Sequence, residues 1–488
     1  MMKKAVLYIV TAFMVFVTIY TLGIRIDIFT TAFDMIQEKF GFIYFYGFLV
    51  VGAGCISLLM LLVARKKLKG FDIILLAALM VSLVISAFMN TDLGLKDNLS
   101  GVVTIAVTVV SFFLIGKCFT KEELHFCLTR VILWASVLWN YGCVVSLGMY
   151  LECYSGYYKF GGFIRRSRMG LMDGRLFGCF SDPNYAAMIA VLIIGGLVYI
   201  FRKHSRECKP ENGEKRPLWL SVERIYIVCS IILYLFYIVL AQSRSAEVAI
   251  IATGLILIIL FTYRRRNHQD DTECDDGCIT KAIHKLSPTD AGVFRAYGVR
   301  MILMLGVMVI VYFGIMFGLQ TVGSIVIPDR DVEAELIRDD VTIENFSNSR
   351  IDIWIDYLML VKDRPVFGLS TRGALPYAKR VDPTGYLAET GYNQHSMFVQ
   401  MIVHGGAIGF ILMIMFLLRS FFRIRKRLTL KEPINKLMIL SLFLVLIHGV
   451  FCVFNVGIFI TPCFEAMLAW IGLGYLEQCC ENTIKVNE

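Results

Sequence analysis

Long apolar runs dominate this sequence and restrict the folds open to it. About twelve runs of roughly 18–25 mainly apolar residues recur along the chain, and each is long enough to cross a bilayer as a helix. The runs are continuous, whereas the strands of a membrane barrel alternate between apolar and polar residues. The mean hydropathy of +0.68 and the 57% share of hydrophobic residues exclude an ordinary soluble globule. We therefore predict an all-α polytopic membrane protein, with residues 1–488 forming a single integral membrane domain.

The charges between the runs predict how the chain crosses the membrane. The predicted spans lie near 5–22, 41–64, 71–89, 99–116, 124–150, 183–201, 224–241, 246–263, 300–327, 395–418, 434–453 and 460–476. Four basic clusters, 65–69, 202–216, 264–266 and 419–431, then share one side, which the positive-inside rule makes cytoplasmic. Both termini are expected on that side, and 264–299 is expected to be a cytoplasmic connector. This bias accounts for the net charge of +9, so nucleic-acid binding is not needed to explain it.

The longest polar interruption, residues 328–394, is predicted to be a large extracytoplasmic loop that contains short amphipathic helices. In the helix expected to begin near Arg350, Asp352 and Asp356 fall on one face. The opposite face is expected to carry Trp354, Leu358 and Val361. This pattern is typical of a short helix at the membrane interface, with tryptophan at headgroup depth.

Arginines on the predicted outer side are candidates for function. Long loops are translocated whatever their charge, which is a sufficient explanation for arginines such as Arg350. It does not account for Arg244, which lies in the short turn 242–245 between two apolar runs. Glu247, one helical step further on, offers a purely neutralising explanation. A functional role is the alternative, because ionisable residues at membrane depth are functional candidates by default.

Guanidinium groups at this depth suit a lipid-linked diphosphate. Arginine pairs with phosphate through two N–H groups, keeps its charge and loses its hydration water readily. It can therefore hold the diphosphate of a polyprenyl carrier and stabilise the negative charge as that group leaves. His395 ends the outer loop, and imidazole suits proton transfer near neutral pH. This histidine is either structural or the base that takes a proton from an attacking sugar hydroxyl.

Four stretches together resemble the O-antigen ligase and polysaccharide polymerase superfamily, integral membrane glycosyltransferases of the C-type fold. The stretches are GRLFGCFSDPN at 174–184, QSRS at 242–245, the arginine–tryptophan helix from Arg350 with the PVFG turn at 365–368, and His395 followed by glycines 405, 406 and 409. The family usually has asparagine after the histidine, whereas Ser396 stands here.

The resemblance implies a site and a reaction. Arg244 and Arg350 would contact the diphosphate, Arg175 and Asn184 would help to bind the donor, and His395 would activate the acceptor hydroxyl. The donor would be an oligosaccharide on undecaprenyl diphosphate, and transfer would proceed without metal or cofactor and with inversion at the anomeric carbon. The implied location is the outer face of the bacterial plasma (inner) membrane.

The resemblance leaves the acceptor and product open. Another lipid-linked unit as acceptor would make the protein a polymerase, which we favour because polymerases are common, whereas a different lipid or wall anchor would make it a ligase. The product would be O-antigen, capsule or exopolysaccharide. The expected partners are the donor, a glycan or lipid acceptor, membrane lipids, a flippase and a chain-length regulator, without nucleic acid. A flippase is itself a competing hypothesis, but it should show repeat symmetry and charges within the spans, and neither is clear here. A non-catalytic assembly or sensor protein is the third, and it would make the arginines interchangeable surface charge.

Overall fold

The protein is described by a computed structural model that covers most of the chain. The described residues are 2–26, 42–63, 71–159, 166–172, 174–207, 218–266, 350–430, 433–455 and 463–484, together with positions 306 and 314. The helices are α1 (Met2–Gly23), α2 (Phe42–Val63), α3 (Phe71–Met89), a 3-10 helix (Thr91–Leu93), α4 (Leu95–Cys118), α5 (Lys121–Leu151), α6 (Pro183–Glu207), α7 (Leu218–Ala241), α8 (Arg244–Arg266), α9 (Arg350–Val361), α10 (Ala374–Val381), α11 (Tyr386–Thr390), α12 (Met397–Thr429), α13 (Lys436–Phe454) and α14 (Phe464–Ile484). The strands are β1 (Ser155–Lys159), β2 (Arg166–Met172) and β3 (Arg175–Gly178).

The helical, multi-pass membrane class is confirmed. Eight of the described helices (α1, α4 to α8, α12 and α13) are long and apolar enough to cross a membrane, and shorter apolar stretches occupy α2 and α3. The predicted span 300–327 lies outside the described residues except for two positions, so the count of twelve spans stays a prediction. The same holds for connector 264–299 beyond residue 266 and for residues 328–349 of the outer loop.

The structure also contains a small antiparallel sheet, which the all-α prediction did not include. Strand β2 lies between β1 and β3, and a register shift between Gly170 and Leu171 interrupts the pairing of β2 with β3. All four residues of β3 are buried. The sheet packs on the end of α5, and β3 is followed after a short connection by the start of α6.

The outer segment 350–394 contains three short helices, and the first of them packs on the protein along one face. Helix α9 buries Ile353, Tyr357 and Val361, at the four-residue spacing of one helical face. Of the residues expected on the face opposite the aspartates, Val361 is buried and Leu358 is 42% exposed. The buried face therefore centres on Tyr357, because its hydroxyl donates a hydrogen bond to the carbonyl of Tyr392, at 2.6 Å.

A break in α12 positions this outer segment. Gly406 has non-helical backbone angles (φ 60°, ψ −157°), and the PVFG turn packs into the gap. The N–H groups of Ala407 and Ile408 donate to the carbonyls of Pro365 (2.8 Å) and Val366 (3.3 Å). The N–H of Leu369 in turn donates to the carbonyl of Val403, in the first half of α12, at 2.7 Å. The turn thus satisfies backbone groups that the break would leave without partners in a membrane.

The loops predicted to share the outer side meet at one end of the helix bundle. Arg175 of β3 donates through Nε to the carbonyl of Ala241 at the end of α7, at 3.1 Å. The N–H of Phe464 at the start of α14 donates to Thr21 near the end of α1, also at 3.1 Å. The sheet therefore lies next to the α7–α8 turn, and the start of α14 lies next to the end of α1.

The opposite end holds the described parts of the basic clusters. Arg264 donates to the carbonyls of Leu428 (3.0 Å) and Leu430 (2.9 Å) at the end of α12. Lys436, which follows the cluster 419–431, donates to the carbonyl of Arg202, at 2.6 Å. Loops and basic clusters therefore lie at opposite ends, as the predicted alternation requires, and the assignment of the basic end to the cytoplasm stays a prediction.

Candidate functional site

The start of α6 is shaped by the Ser181-Asp182-Pro183-Asn184 sequence. Asp182 Oδ1 accepts hydrogen bonds from the backbone N–H groups of Asn184 (2.7 Å) and Tyr185 (3.4 Å), so its side chain caps the helix. Pro183 takes the first helical position, where the N–H it lacks would have no helical partner. The cap fixes the first turn and with it the direction of the Asn184 side chain.

Asn184 connects two stretches that are far apart in the sequence. Its Oδ1 accepts a hydrogen bond from Arg175 Nη2 at 3.0 Å and another from Ser243 Oγ at 3.1 Å. Arg175 is only 6% exposed and also holds Ala241. The structure therefore brings Arg175 and Asn184 together in a network that supports the turn before Arg244. A direct contact of either residue with substrate stays a prediction.

Arg244 is the first residue of α8 and is half-buried. The turn before it is tight, since Gln242 has a positive φ of 43°. Ser243 caps the helix by accepting the N–H of Ala246 on its hydroxyl (3.4 Å) and that of Glu247 on its carbonyl (2.9 Å). A cation at this position is disfavoured by the helix dipole, which is positive at the N-terminus. An anion in front of α8 would relieve that repulsion.

His395 lies just before α12, which begins at Met397 and not at 395 as predicted. Its backbone is left-handed (φ 46°), and its ring is 6.2 Å from that of Tyr392. Burial and then the nearby charge of Arg350 lower the pKa of His395, while Asp182 opposes them. At neutral pH the imidazole is therefore mainly uncharged and able to accept a proton.

Four of the predicted site residues lie at the starts of helices. Asn184 is the second residue of α6, Arg244 and Arg350 are the first residues of α8 and α9, and His395 directly precedes α12. The hydrogen bond from Ser243 to Asn184 joins the starts of α8 and α6. The charges of Arg350 and Asp182 act on His395, which joins α9 and α6 to α12. Each helix start carries about half a positive charge, so the region favours an anionic group.

An ionic cluster holds the outer segment against the 3-10 helix. Arg364 donates to both carboxylate oxygens of Asp92, at 2.9 and 2.7 Å, and Arg380 donates to Asp92 at 2.6 Å. The hydrogen bond from Arg364, supported by Arg380, holds the pKa of Asp92 well below its usual value. Arg364 directly precedes the PVFG turn, and its contacts show that it docks the outer segment.

One arginine of this region was missed by sequence reasoning. Arg25 Nη2 lies 3.1 Å from Glu465 Oε1, and Glu465 is fully buried. The Arg25 guanidinium stacks 4.7 Å from the centre of the Tyr185 ring, and its backbone carbonyl accepts the N–H of Ser181 at 3.0 Å. Arg25 thus holds the chain before α6 against α1 and α14. Its sequence signal was weak: a lone arginine after the first apolar run, on the side expected to carry few cations.

Comparison with known proteins finds a family similar to part of this chain. A family model described as "O-Antigen ligase" matches residues 229–414, which run from α7 through Arg244, Arg350 and His395 into α12. No curated protein matches the chain. The matched stretch includes three of the four motifs on which the resemblance was based, and the fourth, at 174–184, is joined to it by the Asn184–Ser243 hydrogen bond. The predicted resemblance is thereby confirmed over residues 229–414, where the chain is similar to the O-antigen ligase family.

Proposed function

We propose that the protein is a membrane glycosyltransferase that moves an oligosaccharide from undecaprenyl diphosphate to an acceptor hydroxyl on the extracytoplasmic face of the bacterial inner membrane. The proposal is carried by two links between helix starts: Ser243, next to Arg244, is hydrogen-bonded to Asn184, and the charges of Arg350 and Asp182 act on His395. Two guanidinium groups and several helix dipoles suit a diphosphate, and an uncharged imidazole beside them suits proton transfer. The family match supports the same reaction class.

In this proposal each residue has a distinct task. Arg244 and Arg350 hold the diphosphate and stabilise the charge that develops on it. Arg175 and Asn184 hold the turn that presents Arg244, because both are bonded into the network around Ser243. The resemblance assigns no metal to this reaction, so the two guanidinium groups supply the positive charge.

The transfer step conserves atoms and charge. The acceptor oxygen forms a bond to the anomeric carbon while its proton passes to the His395 imidazole. The bond between that carbon and the diphosphate oxygen breaks, and its electron pair leaves on the diphosphate. Attack from the face opposite the diphosphate inverts the configuration at the anomeric carbon. The imidazolium then releases its proton to water.

The acceptor decides between two versions of the reaction. We favour a polymerase, in which the acceptor is a second lipid-linked repeat unit. The description of the matching family favours a ligase, in which the acceptor is a different lipid or anchor. Proteoliposomes that contain the purified protein and lipid-linked repeat units as the sole glycan separate the two. Longer products, resolved by gel electrophoresis, indicate a polymerase, whereas products that appear only after a second lipid acceptor is added indicate a ligase.

The same assay tests the site. Arg244→Ala should lower the transfer rate by about 100-fold or more, because a contact to the leaving diphosphate is lost. Arg244→Lys should recover little of it, since an ammonium lacks the two-pronged geometry. The matched control is Arg130→Ala, an exposed arginine at the other end of the bundle whose guanidinium lies over Phe126 and which should leave transfer unchanged. Normal transfer by Arg244→Ala would contradict the proposal.

A further inference from the structure

Two exposed tyrosines lie next to each other, and one of them, Tyr392, lies beside His395. Tyr386 and Tyr392 are 44% and 47% exposed, although Tyr357 and Tyr377 of the same outer segment are buried. The rings of Tyr386 and Tyr392 are 5.9 Å apart at an interplanar angle of 39°. Exposed aromatic side chains that lie together, within a segment that buries its other tyrosines, indicate a surface for binding.

The backbone, rather than the rings, holds this pair in place. Helix α11 begins at Tyr386 and is ended by Gly391, whose left-handed φ of 60° reverses the chain. The reversal brings Tyr392 back beside Tyr386. The carbonyl of Tyr392 accepts the buried hydroxyl of Tyr357 (2.6 Å), and its N–H donates to Thr390 (3.4 Å). Because these contacts use backbone groups, they leave the aromatic faces exposed.

Two carboxylates accompany the rings. Helix α9, which carries Asp352 and Asp356, is attached beside the pair by the hydrogen bond from Tyr357 to the Tyr392 carbonyl (2.6 Å). Burial, the neighbouring Tyr392 and the charges of these two aspartates raise the pKa of Tyr386. Asp352 is exposed and Asp356 is half-buried. Carboxylate oxygens accept hydrogen bonds from hydroxyl groups, and aromatic faces combined with a few polar groups are typical of small-ligand sites.

We propose that Tyr386 and Tyr392 form the acceptor platform, on which a sugar ring stacks its apolar C–H face while Asp352 and Asp356 accept hydrogen bonds from its hydroxyls. This inference rests on the proposed function, since it takes the His395 side of the site to receive the acceptor. The Tyr392 ring centre is 6.2 Å from that of His395. A sugar stacked at about 4 Å from Tyr392 has hydroxyls within reach of the imidazole. The ligand class is thus a pyranose-containing glycan, and the donor diphosphate binds at the arginines.

The competing explanation is that these tyrosines only anchor the outer segment at the membrane interface. Tyr→Leu distinguishes the two, because leucine keeps apolar area for the interface and loses the flat face for stacking. Tyr→Trp and Tyr→Phe keep a flat face. Tyr157 of β1, which is 54% exposed, provides a matched control.

The test measures binding of two probes to the purified full-length protein. The first is the free oligosaccharide released by mild acid from the cell's own lipid-linked repeat unit, and the second is undecaprenyl diphosphate without sugar. For Tyr392→Leu and Tyr386→Leu, we expect the oligosaccharide Kd to rise about tenfold or more, at the upper end of what aromatic contacts contribute. Tyr392→Trp, Tyr392→Phe and Tyr157→Leu should stay near the wild-type value. All variants should bind undecaprenyl diphosphate as the wild type does, which also shows that they are folded.

Three outcomes would overturn the inference: no binding of the oligosaccharide to the wild type, unchanged binding by both Tyr→Leu variants, or equal weakening in Tyr157→Leu. Any of these with normal undecaprenyl diphosphate binding leaves the donor site of the proposed function standing. Loss of undecaprenyl diphosphate binding in the wild type would instead remove the proposed function itself.

Discussion

At the scale of single residues, the pKa of His395 depends on the charges of its neighbours. Arg350 lowers the pKa of this histidine and Asp182 raises it, in addition to the larger lowering by burial. If the uncharged imidazole is the base, activity rises as pH increases through the pKa of His395. Because that pKa is lowered, the rise should be nearly complete at neutral pH.

Substitution of the two charged neighbours should shift the acidic limb of the pH–activity profile in opposite directions. Arg350→Ala removes a positive charge, so the pKa of His395 should increase and the limb of kcat/KM against pH should shift to higher pH. Asp182→Asn keeps a capping side chain but removes a negative charge, so the limb should shift to lower pH. Arg372→Ala, an exposed arginine of the same outer segment, is the control and should leave the profile unchanged. A profile that is the same in all three variants would exclude His395 as the titrating base.

Residue types were predictable from the sequence, but several contacts were not. Arg244 stood out because an arginine in a short turn between apolar runs is unusual. Its support by Ser243, Asn184 and Arg175 was not predictable, because these residues are brought together only by the packing of α6, α7 and the sheet. Arg25 was missed for the same reason: its partner Glu465 lies 440 positions further along the chain, and no local pattern links the two.

At the scale of elements, the break in α12 depends on glycine. Gly406 occupies a backbone region that only glycine enters readily, and a Cβ added there would clash with the carbonyl oxygen of Val366. Gly406→Ala should therefore lower the free energy of unfolding by about 1–3 kcal/mol from backbone strain, with more from the clash. Unfolding followed in detergent by heat or denaturant measures the change.

A second glycine serves as the control for this substitution. Gly148 lies within α5, and a Cβ added there would meet no atom within 4 Å beyond the backbone of its own helix and its chain neighbours. Gly148→Ala should be neutral or stabilising by about 1 kcal/mol, as alanine favours helices. Equal stability of Gly406→Ala and the wild type would show that the break tolerates a side chain.

Element prediction succeeded where hydropathy was decisive and failed where packing was. The apolar runs predicted the long helices, because length and hydrophobicity suffice for them. The packing of α9 was not predictable, because its buried face depends on Tyr357 and a hydrogen-bond partner 35 positions further along the chain. The β1–β3 sheet was missed because its arginines and glycines lack the alternating pattern of a typical strand.

At the scale of the whole molecule, the outer segment is attached to the bundle partly by charge. Asp92 receives both Arg364 and Arg380, and its pKa is held well below the usual value. A carboxylate whose pKa is lowered by folding contributes stability above its unfolded pKa of about 3.9, and this contribution is lost as pH falls further. Attachment should therefore persist at neutral pH and weaken in acid.

Hydrogen exchange of the 363–381 backbone measures this attachment. Asp92→Asn should increase exchange of that segment at neutral pH, because the ion pairs with Arg364 and Arg380 are lost. Asp97→Asn, an exposed aspartate in the first turn of α4, should have no such effect. Identical exchange in Asp92→Asn and the wild type would mean that the apolar contacts and the α12 break hold the segment by themselves.

The turn seated in the α12 break also restricts how the site can open. Backbone hydrogen bonds join residues 365–369 to both halves of α12, so that helix and the outer segment next to it behave as one stiff body. His395, attached to the front of that body, cannot swing away as part of a hinged flap. We expect long glycans to thread past the opposite wall, where β3 and the starts of α6 and α8 are linked to one another through side chains. Conformational freedom, and with it the timing of product release, would then reside on the side of the reaction centre that carries Arg244.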